Sequence, residues 1–288
     1  MSSKQKTLVI VGPTGSGKSE LAVRLAKKFN GEIISADSRQ VYKGLNIGTG
    51  KITKKEMRDV PHHLLSIANP KQQFSADLFV NKAKEALTMI YHSNHLPIVV
   101  GGTGFYIDAL AGKISLPNVP PNKLLRKKLN KFSKEKLFKM LKKKDPRRAR
   151  SIDRNNKVRL VRALEIVDAL GKVPKITNNR QPTTYSFIYI GLKPKDLNKR
   201  IEKRVKKMFK DGLSKEIKKL KLSDKRLKEL GFEYWHPTEG SVIRETKRYA
   251  KRQMTWFKRN KEIKWFTLSE VEGLRKIEKY VKVNLKGD

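Results

Sequence analysis

The chain has 288 residues, 67 of them Lys or Arg and 27 Asp or Glu, giving a formal net charge of +40 at pH 7. It has no cysteine, which excludes disulfides, thiol catalysis, iron–sulfur clusters and cysteine-ligated zinc. A hydrophobic fraction of 38% is enough for a packed core, and so large a positive charge makes a polyanion such as nucleic acid the first partner to consider. No stretch approaches the ~18 apolar residues of a membrane span, and the N-terminal segment has no signal-peptide core, so a cytoplasmic protein without membrane contact is expected.

Thr7–Val11 is a continuous apolar run closed by Gly12, the pattern of a strand buried on both faces of a parallel sheet. Glu20–Phe29 reads as a helix and Glu32–Ser35 as a second strand. Ala76–His92 has helical periodicity through Phe79, Ala83, Ala86, Leu87 and Ile90, and Pro97–Val100 is a third strand leading into Gly101-Gly102. This alternation predicts a layered α/β fold with right-handed crossovers, and the glycine-rich motif Gly12–Ser19 after the first strand makes its parallel sheet P-loop NTPase-like. A stiff connector, Leu116–Pro121, precedes a basic helical segment over Lys123–Lys144. A helix over Ile152–Leu170 is closed by Gly171. Ser186–Leu192 is a strand expected to rejoin the sheet, and helices are expected over Asp196–Lys210, Ser214–Leu220, Val242–Asn260 and Glu270–Val281. The predicted organisation is an α/β core over 1–114, a small helical insertion over 115–146, and a largely helical part over 147–288 that returns to complete the core.

The chemistry starts at Gly12-Pro13-Thr14-Gly15-Ser16-Gly17-Lys18-Ser19, a P-loop motif set between a strand and a helix. Its glycines let backbone N–H groups close around phosphate oxygens, Lys18 adds a point charge, and the Ser19 hydroxyl is the expected Mg²⁺ ligand. The strand Pro97–Val100 ends in Gly101-Gly102-Thr103-Gly104 without the acid that nucleotide hydrolases usually carry there. The available carboxylate is Asp37, just after the second strand, and strand order places Asp37, Ser38 and Thr103 at the carboxyl end of the sheet beside the P-loop. Asp37 could equally cap a turn, and Thr103 could equally serve turn chemistry. His62-His63 is not expected to bind a metal, because neighbouring side chains diverge and no third ligand stands at suitable spacing.

GPTGSGKS, ADSRQVYKGLNIGTGK, PHHLLSI, Phe74-Ser75-Ala76, VVGGTGFYI, VRLVRALEI and TKRYAKRQMTWFKRN follow one another in this order. The ordered set, spanning about Thr7 to Trp265, resembles the bacterial-type tRNA dimethylallyltransferases. The resemblance implies transfer of the dimethylallyl group of dimethylallyl diphosphate to N6 of the adenosine 3′ of the anticodon, with the P-loop holding the donor's diphosphate and not ATP. Breaking an allylic C–O bond leaves negative charge on the diphosphate, a task for Lys18, backbone amides, Mg²⁺ and a hydroxyl such as Thr103. The attacking amine must lose a proton, and Asp37 is the expected base, a role the resemblance also assigns it.

On the RNA side, the resemblance points to Asp37, Ser38, Arg39, Gln40 and Thr103 near the target base, and to the basic insertion, Arg126 included, on the anticodon stem. Arg159 and Arg162 lie opposite the apolar stripe Leu160, Leu164 and Val167 and are free to reach phosphate unless Glu165 pairs with Arg162. In the helix Val242–Asn260, Ile243, Ala250, Met254 and Phe257 form an apolar stripe, and Arg244, Arg248, Arg252 and Arg259 a basic one. Lys251, Arg252, Gln253 and Thr255 are expected to touch the tRNA, and Trp256 to touch it or to pack in the core. Phe105 or Tyr106 is a candidate to pack against the flipped base. A monomer with tRNA and dimethylallyl diphosphate as its partners is expected. An adenylate isopentenyltransferase, a P-loop small-molecule kinase and a non-catalytic RNA-binding module are the alternatives.

Overall fold

A computed structural model of the chain describes residues 5–174, 184–267 and 270–286. The N-terminal stretch Met1–Lys4 thus lies outside the described residues. The chain forms two compact units, one of residues 1–113 with 181–288 and one of residues 114–180. In the first, the order is β1 (Gln5–Val11), α1 (Lys18–Lys28), β2 (Gly31–Ser35), α2 (Lys54–Met57), β3 (His62–His63), α3 (Ala76–His92), β4 (Leu96–Gly101) and α4 (Gly104–Leu110). The second unit holds α5 (Lys123–Leu129), α6 (Lys134–Lys144), α7 (Pro146–Ser151) and α8 (Lys157–Leu170). The chain then returns with β5 (Tyr185–Leu192), α9 (Leu197–Lys210), α10 (Leu213–Leu220), α11 (Asp224–Leu230), α12 (Glu239–Phe257), β6 (Lys264–Phe266) and α13 (Glu270–Lys286).

The six strands form one parallel sheet in the order β3-β2-β4-β1-β5-β6. β1 lies between β4 and β5, and Leu8, Val9, Ile10 and Val11 are fully buried, as their unbroken apolar run predicts. β5 rejoins the sheet as expected, in register with β1 from Gln5↔Tyr185 to Val11↔Gly191. The core beneath the sheet joins Leu21, Leu25, Ile33, Ile98, Ile190 and Ile277. α3 begins at Ala76 because the Ser75 hydroxyl accepts a hydrogen bond from the Leu78 N–H at 3.1 Å.

Two boundaries differ from the sequence expectation. The helix expected over Ile152–Leu170 is α8, which starts five residues later at Lys157, where the Asn156 side chain caps it by accepting from the Arg159 N–H at 3.1 Å. The second unit also runs well past residue 146. Leu137 and Leu141 of α6 share one core with Ala149 and Ile152 and with Leu160, Leu164 and Val167 of α8, so α8 packs with the insertion.

Within this unit, the charge pattern has a different purpose from the one its sequence suggests. Glu165 is 1% exposed and accepts from Arg126 Nε and Nη2 at 2.7 Å each, from Arg162 Nη1 at 2.5 Å and from the Asn122 N–H at 2.7 Å. Arg162 Nη2 also donates to Val119 O at 2.9 Å. Arg126 and Arg162, expected on RNA, are therefore engaged in holding α5 and the connector to α8, because a buried carboxylate requires partners. Arg159 is exposed and makes no ion pair among the described residues. These donors hold the Glu165 carboxyl below its usual value against the opposing effect of burial. Its contribution to stability is therefore present above the unfolded carboxylate value and is lost as the pH falls through the folded one. Glu165→Gln should destabilise the second unit by about 2 kcal/mol at pH 7, the scale of a lost charge-assisted hydrogen bond, as read by urea denaturation.

Candidate active site

The carboxyl ends of β1, β2 and β4 meet around a cavity of about 280 Å³. The P-loop leaves β1 through Gly12, where a Cβ would stand 2.8 Å from Ser16 Oγ and 2.9 Å from Leu192 O, so a side chain has no room in this turn. Of the loop, Thr14, Lys18 and Ser19 line the cavity. Lys18 Nζ donates to Pro13 O at 3.1 Å, and burial together with the nearby Arg204 guanidinium lowers its pKa to about 8, opposed by Asp37. Arg204 of α9 lines the same cavity and donates from Nη2 to Thr49 O at 2.9 Å. Its guanidinium fills the space beside Gly50, where a Cβ would come within 2.0 Å of Nη2, and burial lowers its pKa. Two desolvated cations facing one void are arranged to receive a multiply charged anion.

Asp37 lines the cavity, as do Ser38, Arg39 and Gln40. Asp37 Oδ1 accepts from the Arg39 N–H at 2.8 Å and the Gln40 N–H at 3.2 Å, so the carboxylate both caps its own turn and faces the cavity. Thr103, expected as a hydroxyl donor to the diphosphate, is not on the cavity wall. Its Oγ1 accepts from the Ser38 N–H at 3.0 Å and so braces the turn that carries Asp37.

The glycines after β4 are explained by what docks on them. A Cβ on Gly101 would lie 2.0 Å from Ala36 O, one on Gly102 2.1 Å from Gln253 Nε2, and one on Gly104 2.2 Å from Trp256 Cδ1. α12 thus lies directly on this segment. Gln253, expected on tRNA, is 5% exposed: Nε2 donates to Gly102 O and Oε1 accepts from the Thr14 N–H, each at 2.9 Å. It joins the P-loop to the end of β4 through α12. The buried face of α12 is Val242, Thr246, Ala250, Gln253 and Phe257, whereas the expected stripe residues Ile243 and Met254 are only half-buried.

The opposite face of α12 is basic. Arg248, Lys251, Arg252, Thr255, Trp256 and Arg259 surround a shallow depression, and Arg252 also lines the cavity. Trp256 Nε1 donates to Asp108 Oδ2 at 2.8 Å while its ring meets Phe105 edge-on at 6.3 Å, so its core-packing and surface roles coexist. Phe105 is 38% exposed, but Tyr106 is buried and stacked on Phe79 at 4.4 Å, which removes it as a platform for a base.

Sequence reading missed Arg204, Glu233 and Tyr249 on the cavity wall. Arg204 sits between Ile201 and Val205 in an amphipathic helix, with no spacing that marks it. Burial pushes the Glu233 carboxyl up to about 7 against the pull of Arg39 and Arg204, and burial likewise raises the Tyr249 phenol. Glu233 stands two residues after the helix-ending Gly231, a position that marks a turn and not a site. Among the described residues no cluster of three or more His, Cys, Asp or Glu side chains is placed to hold a metal. His63 and His95 bracket the Glu32 carboxylate at 2.6 Å each.

Residues 40–260 match the family described as IPP transferase. The chain is 39% identical to the tRNA dimethylallyltransferase of Thermoanaerobacter sp. (strain X514) over 300 residues, 95% of each chain. It is 38% identical to that of Halalkalibacterium halodurans, again over 95% of each. The crystal structure of the full-length tRNA isopentenylpyrophosphate transferase from Bacillus halodurans superposes with a TM-score of 0.71 at 36% identity, covering 98% of this chain and 97% of that one. A eukaryotic dimethylallyltransferase acting on tRNA superposes with a TM-score of 0.82 at 27% identity, covering 98% of this chain and 79% of its own.

The chain belongs to the IPP transferase family. The parallel sheet and P-loop of this IPP transferase are those the sequence led one to expect, and no described helix is long and apolar enough to cross a membrane. Gln253→Ala should weaken the binding of inorganic diphosphate by about tenfold, the effect of losing two hydrogen bonds that seat the P-loop. The salt slope of tRNA binding should stay unchanged, as titration at several ionic strengths would show, because Gln253 touches protein and not phosphate.

Proposed function

We propose that this IPP transferase moves the dimethylallyl group of dimethylallyl diphosphate onto N6 of the adenosine 3′ of the anticodon in tRNA, releasing diphosphate. The supporting observation is that Lys18, Arg204 and Asp37 line one cavity that Arg252 connects to the basic face of α12. Breaking the allylic C–O bond leaves its electron pair on the diphosphate, where Lys18, Arg204 and the N–H groups of the P-loop offset the new charge. The C–N bond forms from the amine's lone pair, and Asp37 takes the proton that N6 sheds. Ile33, Ile52, Val205, Met208 and Phe232 give the wall an apolar part suited to a five-carbon chain.

A magnesium ion fits this donor set. Ser19 supplies one hydroxyl at the cavity, and Mg²⁺ typically keeps waters and takes its other ligands from phosphate oxygens. When bound it would add charge stabilisation for the departing diphosphate. Arg248, Lys251, Arg252 and Arg259 form the phosphate-binding face, with Thr255 and Trp256 among them. The target adenosine must leave its stack to reach Asp37, and the exposed Phe105 beside Trp256 is available to meet it.

Incubating the protein with radiolabelled dimethylallyl diphosphate, Mg²⁺ and tRNA should place label in acid-precipitable RNA. Label appearing only in AMP offered as competitor would replace tRNA by free nucleotide as the acceptor. Asp37→Ala should lower kcat by about 10²–10⁴ with tRNA affinity nearly unchanged. Burial lowers Lys18 to about 8, so the donor's affinity should fall above that pH as the ammonium is lost, beyond the smaller fall near 7 as Glu233 ionises on the same wall. Calorimetric titration from pH 6.5 to 9.5 would show this, and Lys18→Arg should remove the upper fall.

A further inference from the structure

Glu216 lies in the first turn of α10, is only 9% exposed, and has no part in the chemistry described above. Its Oε2 accepts from the Asn46 N–H at 2.9 Å and the Ile47 N–H at 2.7 Å, and its Oε1 accepts from the Gly48 N–H at 3.1 Å and the Tyr234 hydroxyl at 3.0 Å. Three successive backbone N–H groups thus converge on one carboxylate. Gly48 is pressed against the same group of side chains, for a Cβ there would meet Tyr234 at 2.7 Å and Leu213 at 3.0 Å. The far end of this loop is held by Lys51, whose Nζ donates to Tyr42 O and Ser66 Oγ at 2.7 Å each.

The part of the loop between these anchors is the part that touches the cavity. Gly48, Thr49 and Gly50 line it, and Thr49 O accepts from Arg204 Nη2 at 2.9 Å and from Gln40 Nε2 at 3.4 Å. Gly50 leaves the space in which the Arg204 guanidinium lies. Among the described residues Arg204 makes no ion pair and is held by its hydrogen bond to this carbonyl, so the loop's position sets where the guanidinium points.

We infer that Glu216 is a positioning residue for the anion-binding side of the cavity, acting through residues 46–50 on Arg204. The inference rests on reading that cavity as a diphosphate site. A carboxylate offers two oxygens to four donors, whereas a carboxamide offers one oxygen and turns its own N–H₂ toward N–H groups. Glu216→Gln should therefore release the loop while keeping the side chain's volume.

The test measures the dissociation constant of inorganic diphosphate for the full-length wild type, Glu216→Gln, Arg204→Ala and the double variant, together with KM for the prenyl donor and for tRNA. Glu216→Gln is expected to raise the diphosphate constant and the donor KM about tenfold and to lower kcat, because Arg204 also meets the departing diphosphate, with the tRNA KM close to wild type. The double variant should be no worse than Arg204→Ala alone, because the two changes remove one effect. Multiplicative losses, an unchanged diphosphate constant, or an equal rise in both KM values would overturn the inference. Should Glu216→Gln not fold, Tyr234→Phe removes one of the four donors and should raise the diphosphate constant about threefold without adding to Arg204→Ala; no rise would overturn it equally. Wild-type protein that binds diphosphate without transferring a prenyl group would refute the proposed function and leave the Glu216 comparison intact.

Discussion

The seating of α12 on the sheet depends on one side-chain amide. Gln253 donates to the carbonyl at the end of β4 and accepts from the first turn of the P-loop, so one residue fixes the anion cradle against the strand that carries Asp37's brace. A helix can approach a sheet this closely only where Cβ atoms are missing, and Gly102 and Gly104 provide the gap. The same approach points the other face of the helix outward, with Arg252 at the margin of the cavity. The P-loop, Asp37 and the basic face of α12 are thereby tied together by geometry and not by flexible loops.

Charge explains the second layer of the design. Lys18, Arg39, Arg204 and Arg252 line the cavity against Asp37 and Glu233 alone, and desolvation lowers the pKa of both Lys18 and Arg204. Holding cations in such a place is unfavourable until an anion arrives, which concentrates affinity on a ligand with several negative charges. Elsewhere the positive excess is partly committed to structure. Arg126 and Arg162 share one buried carboxylate, which offsets part of their charge.

Much of this was legible from residues alone. Strands buried on both faces read as unbroken apolar runs, so β1, β2, β4 and β5 appear within a residue or two of their true bounds. The P-loop and Asp37 follow from local motif and strand order. Gln253 was misplaced because a polar residue in a basic helix reads as outward-facing, and only the packing shows that Gln253 and Thr246 occupy the inner face. Arg204, Glu233 and Glu216 were invisible for a related reason: each reaches the site from a helix or turn far along the chain, by tertiary contact that no spacing encodes. β6 and α11 are short and gave no period to detect.

The central position of β1 also dictates an order of assembly during synthesis. Its partners are β4, made soon after it, and β5, which follows only when residues 185–192 emerge. Until then one edge of this buried strand has no neighbour, and such an edge invites pairing with other chains. The helical unit of residues 114–180 is contiguous and short-ranged in its connections, so it is complete on the ribosome while the sheet still waits for its second half. The nascent chain therefore faces its greatest exposure to aggregation, and its greatest need of a chaperone, between those two events.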